Sequence, residues 1–279
     1  MMHSKKKRTK IILAYAVLAS WGIFSLFPLF SMLLIALKPK NAFMSFPPDY
    51  FSIRLTLDNF MTVLKDPNWI GYYGNSILIA LLASLISVSV GSLAGFSFAR
   101  YNFRMKWFLM VFILALQMIP TASIIIPFYN MFGDLRLLDT YTVLILVDSV
   151  GTMPFVIWLM RGYFLTIPRE LEEAALIDGC SGLKAFWKIA FPLAAPGMAA
   201  SVIYAFVRAF NDYIIARTLA GSKIVTYTVG LTMFTNQYEG INLTLISAAS
   251  FSALIPIVIM FALFHKYFVI GMTGGALKG

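Results

Sequence analysis

Charge is what this chain has least of. Only 12% of its 279 residues are charged and 60% are hydrophobic, with a mean hydropathy of +0.82, whereas a soluble domain carries about 25% charged residues. No water-soluble fold of this length hides so much apolar surface, so the chain is expected to dissolve largely in lipid. Acids are the scarcer sign, 12 against 22 Lys and Arg, for a net charge of +10. The bases cluster between apolar runs and do not form one face, which argues for positive-inside topology and against a nucleic-acid surface. The single Cys180 excludes an intrachain disulfide and reads as a free thiol. His3 and His265 lie far apart beside lysines, and no Cys/His cluster has metal-site spacing. A G-x-x-x-x-G-K-[ST] phosphate loop is missing, so the chain lacks that signature for ATP chemistry of its own. There is no convincing internal repeat and no low-complexity tract.

What is present is a series of long apolar runs: Ile11–Leu37, Tyr72–Ala99, Trp107–Phe132, Tyr141–Leu165, Ala194–Ala216 and Leu243–Ile270. Each reaches the roughly 20 residues needed to cross about 30 Å of hydrocarbon. The expected fold is therefore an all-α integral membrane protein with six transmembrane helices. The first run is about twice a secretory h-region and ends without an A-x-A site, so it reads as a retained span. Pro28, Pro120, Pro127, Pro154 and Pro256 interrupt several runs, which a bundle tolerates where neighbours or a cavity satisfy the freed carbonyls.

Basic residues orient the bundle. Lys5, Lys6, Lys7, Arg8 and Lys10 share a side with Arg100, Arg104 and Lys106, with Arg161, Arg169, Lys184 and Lys188, and with Lys266 and Lys278. Lys38, Lys40, Arg54, Lys65, Arg136, Arg217 and Lys223 fall on the other side, diluted by acids. Both termini are thus expected in the cytoplasm. Residues 1–71 would hold the basic segment, the first span and an external loop, and residues 72–279 a core of five spans with an inner loop at 166–193.

That inner loop carries the strongest local pattern. Glu170, Glu172 and Glu173 crowd a first helical turn, where negative charge suits the dipole. Leu171, Ala174 and Ala175 follow as a small apolar strip, and after Asp178, Gly179 stands where a left-handed C-terminal cap is needed. A second helix would place Leu183, Phe186, Trp187, Ala190 and Phe191 on one face, with Lys184 and Lys188 to its side, before Pro192 ends it. On spacing alone this could be an amphipathic hairpin resting on the membrane surface.

The same stretch closely resembles the EAA loop of ABC-importer permeases, with Glu173-Ala174-Ala175, Gly179, Ile189 and Pro192 at the patterned positions and Phe191 in place of the usual Leu. Nearly the whole chain resembles the carbohydrate-importing, maltose-type permeases. The likeness includes Leu57–Phe60, Asn75-Ser76, Leu93–Arg100, Met118-Ile119-Pro120, Ile125–Tyr129 and the ending Tyr267–Gly279. It departs at Phe210-Asn211-Asp212, where the family commonly has Trp-Asn-Glu.

The resemblance implies a bacterial inner-membrane subunit, not itself an enzyme, forming half of a translocation pathway with a second permease subunit, as a heterodimer. Two ATPase subunits binding ATP with Mg would dock on the loop, and an extracytoplasmic solute-binding protein would deliver a sugar or oligosaccharide. Glu173, Ala174, Ala175, Asp178, Gly179, Leu183, Phe186 and Trp187 would form the ATPase-coupling segment. The chain itself would hold no cofactor and no metal.

Ionisable residues at bilayer depth are functional candidates by default. Asp148 in the fourth span and Arg208, Asn211 and Asp212 in the fifth are the candidate pathway residues. Arg208 and Asp212 are four apart, so a continuous helix would let them neutralise each other or present them together on a cavity wall. Gly91 and Gly95 form a G-x-x-x-G expected to bring two helices close. The alternative function, a secondary transporter of a small polar solute, predicts inverted repeats and paired broken helices that the sequence does not display. A membrane-embedded enzyme lacks a nucleophile–base or metal constellation, and a plain membrane anchor leaves the EAA loop unexplained. Two flanking expectations complete the reading: the external segment Arg217–Asn242 meets the solute-binding protein, and the tail Gly274–Gly279 leaves the sixth span to reach the ATPases.

Overall fold

The computed structural model describes all residues except 1, 40–41, 43–53, 221, 237–239 and 277–279, and leaves out the side chains of 2–10, 235–236, 240–241 and 268–276. Among the described residues four helices are long and apolar enough to cross a membrane, over Ile11–Ala36, Pro67–Arg100, Tyr141–Thr166 and Leu243–Tyr267. Two bent helix pairs raise the number to six if each counts as one span. The chain is an all-α membrane protein; its strands are a two-residue ladder pairing Thr235 with Ile241 and Asn236 with Gly240.

The chain divides into two compact units, the first formed by Met1–Trp69 and Leu231–Ile255. Here α1 (Met2–Ala36) and α2 (Asp58–Lys65) both pack on α13 (Leu243–Ser252). Between Ile11 and Phe30 the large apolar side chains of α1 are exposed, as expected of a helix whose solvent is hydrocarbon. Its C-terminal end is held by Asn59, whose buried amide donates to the carbonyls of Ala36 at 2.8 Å and Lys38 at 2.7 Å. Those are orphan acceptors of a helix end, which explains the Asn of the Leu57–Phe60 segment.

The second unit comprises Ile70–Gly230 and Pro256–Gly279. Its centre is the crossing of α3 (Pro67–Arg100) and α6 (Tyr141–Thr166). A Cβ on Gly91 would lie 2.6 Å from Val156 Cγ1, and one on Gly95 would lie 2.9 Å from the backbone nitrogen of Arg161 and from Met160 Cβ. The G-x-x-x-G therefore does what was expected and lets two backbones approach. A buried hydrogen bond from Thr152 Oγ1 to Ser87 Oγ, at 2.9 Å, joins the same helices one layer up. Opposite, α10 (Ala195–Phe210) packs on α6, with Phe155 and Tyr204 rings 4.1 Å apart.

Two expected spans are corrected. The run Trp107–Phe132 is not one helix: α4 (Lys106–Leu116) and α5 (Thr121–Asp134) meet at 91°. Pro120, extended at ψ 130°, lacks the N–H that would continue the ladder and stands as N-cap of α5. The run Ala194–Ala216 likewise breaks, because α10 stops at Phe210, and ahead of it the segment Gly182–Leu193 enters at 77° to α10. At 16 residues α10 is about 24 Å long, short of a full crossing alone. A short α11 (Ile214–Leu219) follows. The last helix, α14 (Leu254–Ala276), continues through Gly274 and Gly275, so the glycines do not end it; residues 277–279 lie outside the described residues.

The segment after α11 is fastened from two sides. Asp139, at φ 56°, accepts the N–H groups of Lys223 at 2.8 Å and Ile224 at 3.1 Å. Asn75 Nδ2 donates to Val225 O at 2.9 Å, and Ser76 Oγ accepts the N–H of Tyr227 at 2.8 Å. The Asn75-Ser76 pair thus holds the loop that leads into α12 (Tyr227–Met233).

Candidate functional site

The loop between α6 and α10 folds as the acidic helix α7 (Glu170–Ile177), a turn, and a second helix made of α8 (Gly182–Ala185), a π-helical turn Phe186–Ala190 and α9 (Phe191–Leu193). Gly179 has φ +83°. Its N–H donates to Leu176 O at 3.1 Å and that of Cys180 to Ala175 O at 2.9 Å, the paired bonds of a Schellman C-cap. Glycine is required there because a Cβ strains the left-handed conformation. Ser181 restarts the chain as N-cap of α8, its Oγ accepting the N–H of Lys184 at 3.4 Å.

The expected single apolar face of the second helix divides. Leu183 is 63% and Trp187 46% exposed, but Phe186 is 1% exposed. Phe186 lies against Phe96 at 4.9 Å and Phe164 at 6.0 Å, inside the core formed with Val156, Met160 and Ala190. Phe186 and Ala190, four apart, turn to the core, whereas Leu183 and Trp187, also four apart, stay exposed at the other edge of the same face. Phe186, expected in the coupling segment, is thus buried in the core of this chain. On α7, Glu173 and Ala174 are exposed, as are Asp178 and Gly179 in the turn, while Ala175 is buried. Ile177, 86% exposed at the tip, was missed because it sits off the apolar strip read from the sequence.

The loop is tied to the core by a contact the sequence did not reveal. Arg100, the last residue of α3, sends Nε to Glu172 Oε1 at 2.8 Å and Oε2 at 3.1 Å, and Nη2 to Oε1 at 2.6 Å. Nη2 also donates to Ile167 O at 3.0 Å, where α6 ends. Arg169 adds a bond from Nη2 to Ala99 O at 3.3 Å. The sequence pattern places Glu172 only in the acidic first turn of α7.

The second candidate region is a cavity of about 850 Å³ lined by residues of α4, α5, α6 and the α10–α11 corner. Asp148, Arg208 and Asp212 all line it. Asp148 is buried and Arg208 exposed. Among the described residues no ion pair joins Arg208 to either carboxylate. The helical i, i+4 pairing fails because α10 ends at Phe210, two residues before Asp212. Asn211 is not part of the lining: its Nδ2 donates to Val207 O at 2.8 Å and its Oδ1 accepts the Tyr227 hydroxyl at 2.7 Å. Burial pushes the Tyr227 phenol up to about 12, which keeps it a donor. The described residues contain no group of three or more metal-capable side chains.

Comparison with known proteins places this geometry. The chain matches the family described as binding-protein-dependent transport system inner membrane component over residues 87–273, and it belongs to that family. It is 34% identical to the trehalose/maltose transport system permease protein MalG of Thermococcus litoralis, over 98% of each chain. It is also 34% identical to the maltodextrin transport system permease protein MdxG of Bacillus subtilis, over 96% of each. A solved bacterial ABC transporter involved in the import of the acidic polysaccharide alginate shares the fold, with TM-score 0.77 and 24% identity over 94% of this chain and 98% of the other. This is a transport component and not an enzyme, and the secondary-transporter alternative is not favoured.

Proposed function

We propose that the chain is one of two permease subunits of an ABC importer for a sugar or oligosaccharide, contributing half of the pathway. It pairs with a second, non-identical permease. Two ATPase subunits, which hold the ATP and Mg, dock on the α7–α8 loop, and an extracytoplasmic solute-binding protein delivers cargo. Both termini lie in the cytoplasm, as the basic clusters require. Residues 1–71 and 72–279 would act as an accessory segment and a permease core.

The observation that carries this reading is the EAA-type loop itself. Glu173, Ala174, Asp178, Gly179, Leu183 and Trp187 form an exposed surface on a segment anchored to the ends of α3 and α6. A free surface loop needs neither the buried ion pair nor the Schellman turn; a docking element that must hold its shape under load needs both. The carbohydrate assignment is supported by the names of the relatives and by the size of the cavity that Asp148, Arg208 and Asp212 line.

The test is purification of the tagged chain from its own membrane, followed by reconstitution in vesicles. An ATPase and a second permease should co-purify, and ATP-driven maltodextrin uptake should require the solute-binding protein. Uptake driven by an ion gradient without ATP would contradict the assignment.

A further inference from the structure

The geometry points to Arg100 and Glu172 as positioning residues for coupling, a strut that transmits displacement of α7 into α3. The inference rests on reading the α7–α8 loop as the ATPase-docking element.

The pair is built for stiffness. Three short contacts of 2.6 to 3.1 Å hold the guanidinium fork on the carboxylate, and the two side chains are only 8% and 12% exposed. Fork geometry fixes direction as well as distance, which a point charge such as lysine cannot do. The guanidinium also lies over the Phe96 ring at 5.9 Å, and Phe96 packs on Phe186 of the loop's second helix at 4.9 Å. Both loop helices are therefore held to the last turns of α3, one by charge and one by aromatic contact.

From there the route to the cavity is close-packed. Gly91 and Gly95 bring α3 against Val156, Met160 and Arg161 with no room for a methyl group. The Ser87–Thr152 bond locks the next layer, and Asp148, one turn along α6 from Thr152, lines the cavity. A purely structural contact at Arg100 would be served as well by apolar side chains, since buried ion pairs add little net stability over well-packed hydrophobic ones. What the ion pair adds is fixed register between α7 and α3.

The experiment uses the assembled transporter and the double replacement Arg100→Met with Glu172→Met, which leaves no unpaired buried charge. Uptake per ATP hydrolysed is measured beside the yield and thermal midpoint of the complex. The expected result is a complex that assembles with its ATPase and melts as the unaltered one does, but moves about ten-fold less solute per ATP. An unchanged ratio would overturn the strut. Should the double variant fail to assemble, Arg100→Lys carries the test, because it keeps the charge and loses the fork: a lowered ratio supports the strut and an unchanged one overturns it. Failure of the docking reading looks different, since the unaltered chain would then capture no ATPase, and the strut would fall with it.

Discussion

Asp212 accepts the backbone N–H of Ala216 at 3.0 Å and leaves Arg208 without a carboxylate partner among the described residues. The carboxylate thereby caps the first turn of α11, and the arginine is exposed on the cavity wall. The two residues have separable roles. Arg208→Met should change the thermal midpoint of the complex little, within about 0.5 kcal/mol, as for a side chain with no buried partner. It should nonetheless alter solute-stimulated ATPase activity. Asp212→Ala should cost about 1 kcal/mol of stability through the lost cap. A large loss of stability in Arg208→Met, restored by removing Asp212 as well, would show a pair that this geometry does not contain.

The α3–α6 crossing makes a sharper stability prediction. Gly95→Ala puts a methyl 2.9 Å from backbone nitrogen and from a Cβ, neither of which can swing aside. Overpacking of this kind costs about 1–3 kcal/mol. Gly74→Ala, on the same helix but with open space around it, is the control and should leave the melting temperature in detergent unchanged or slightly raised. Equal melting of the two variants would contradict the close approach.

The fastened segment around Lys223 is expected to face the solute-binding protein. Ser222 is exposed, and the Asp139 carboxylate holds the next two residues in place. A cysteine at Ser222 should crosslink to the binding protein in the presence of solute. Crosslinking to the ATPase alone would reverse the orientation. Tyr238, in the same external stretch, lies outside the described residues.

Some of this was legible from residues alone because the governing physics is local. Twenty apolar residues in a row define a span without any partner, which is why Tyr141–Leu165 and the observed Tyr141–Thr166 nearly coincide. Gly179 was legible because a helix end followed by glycine has one common backbone solution. The bends were harder. Pro120 within an apolar run is compatible with a mild kink or a 91° corner, and only packing selects between them. The end of α10 at Phe210 carries stop signals, Arg208 in the last turn and Asn211 after it, but the apolar run resumes at Tyr213 and makes Arg208 and Asp212 read as neighbours on one helix. Phe186 and Trp187 are adjacent in sequence and about 100° apart around a helix, so one apolar stripe holds both a buried and an exposed ring, and only packing tells which is which. Arg100 and Glu172 are 72 residues apart, and the other bases and acids near that end leave their pairing open in the sequence.

If the exposed α7–α8 surface receives the work of ATP hydrolysis as proposed, Glu173→Lys disables it. Glu173 is exposed, so its reversal should leave the spans folded and the melting temperature unchanged. Reversing a charge at a docking surface costs several kcal/mol where the partner's charge is complementary, so ATPase capture and ATP-driven uptake in vesicles should each fall by about ten-fold or more. Undiminished capture and uptake in the Glu173→Lys complex would contradict the account.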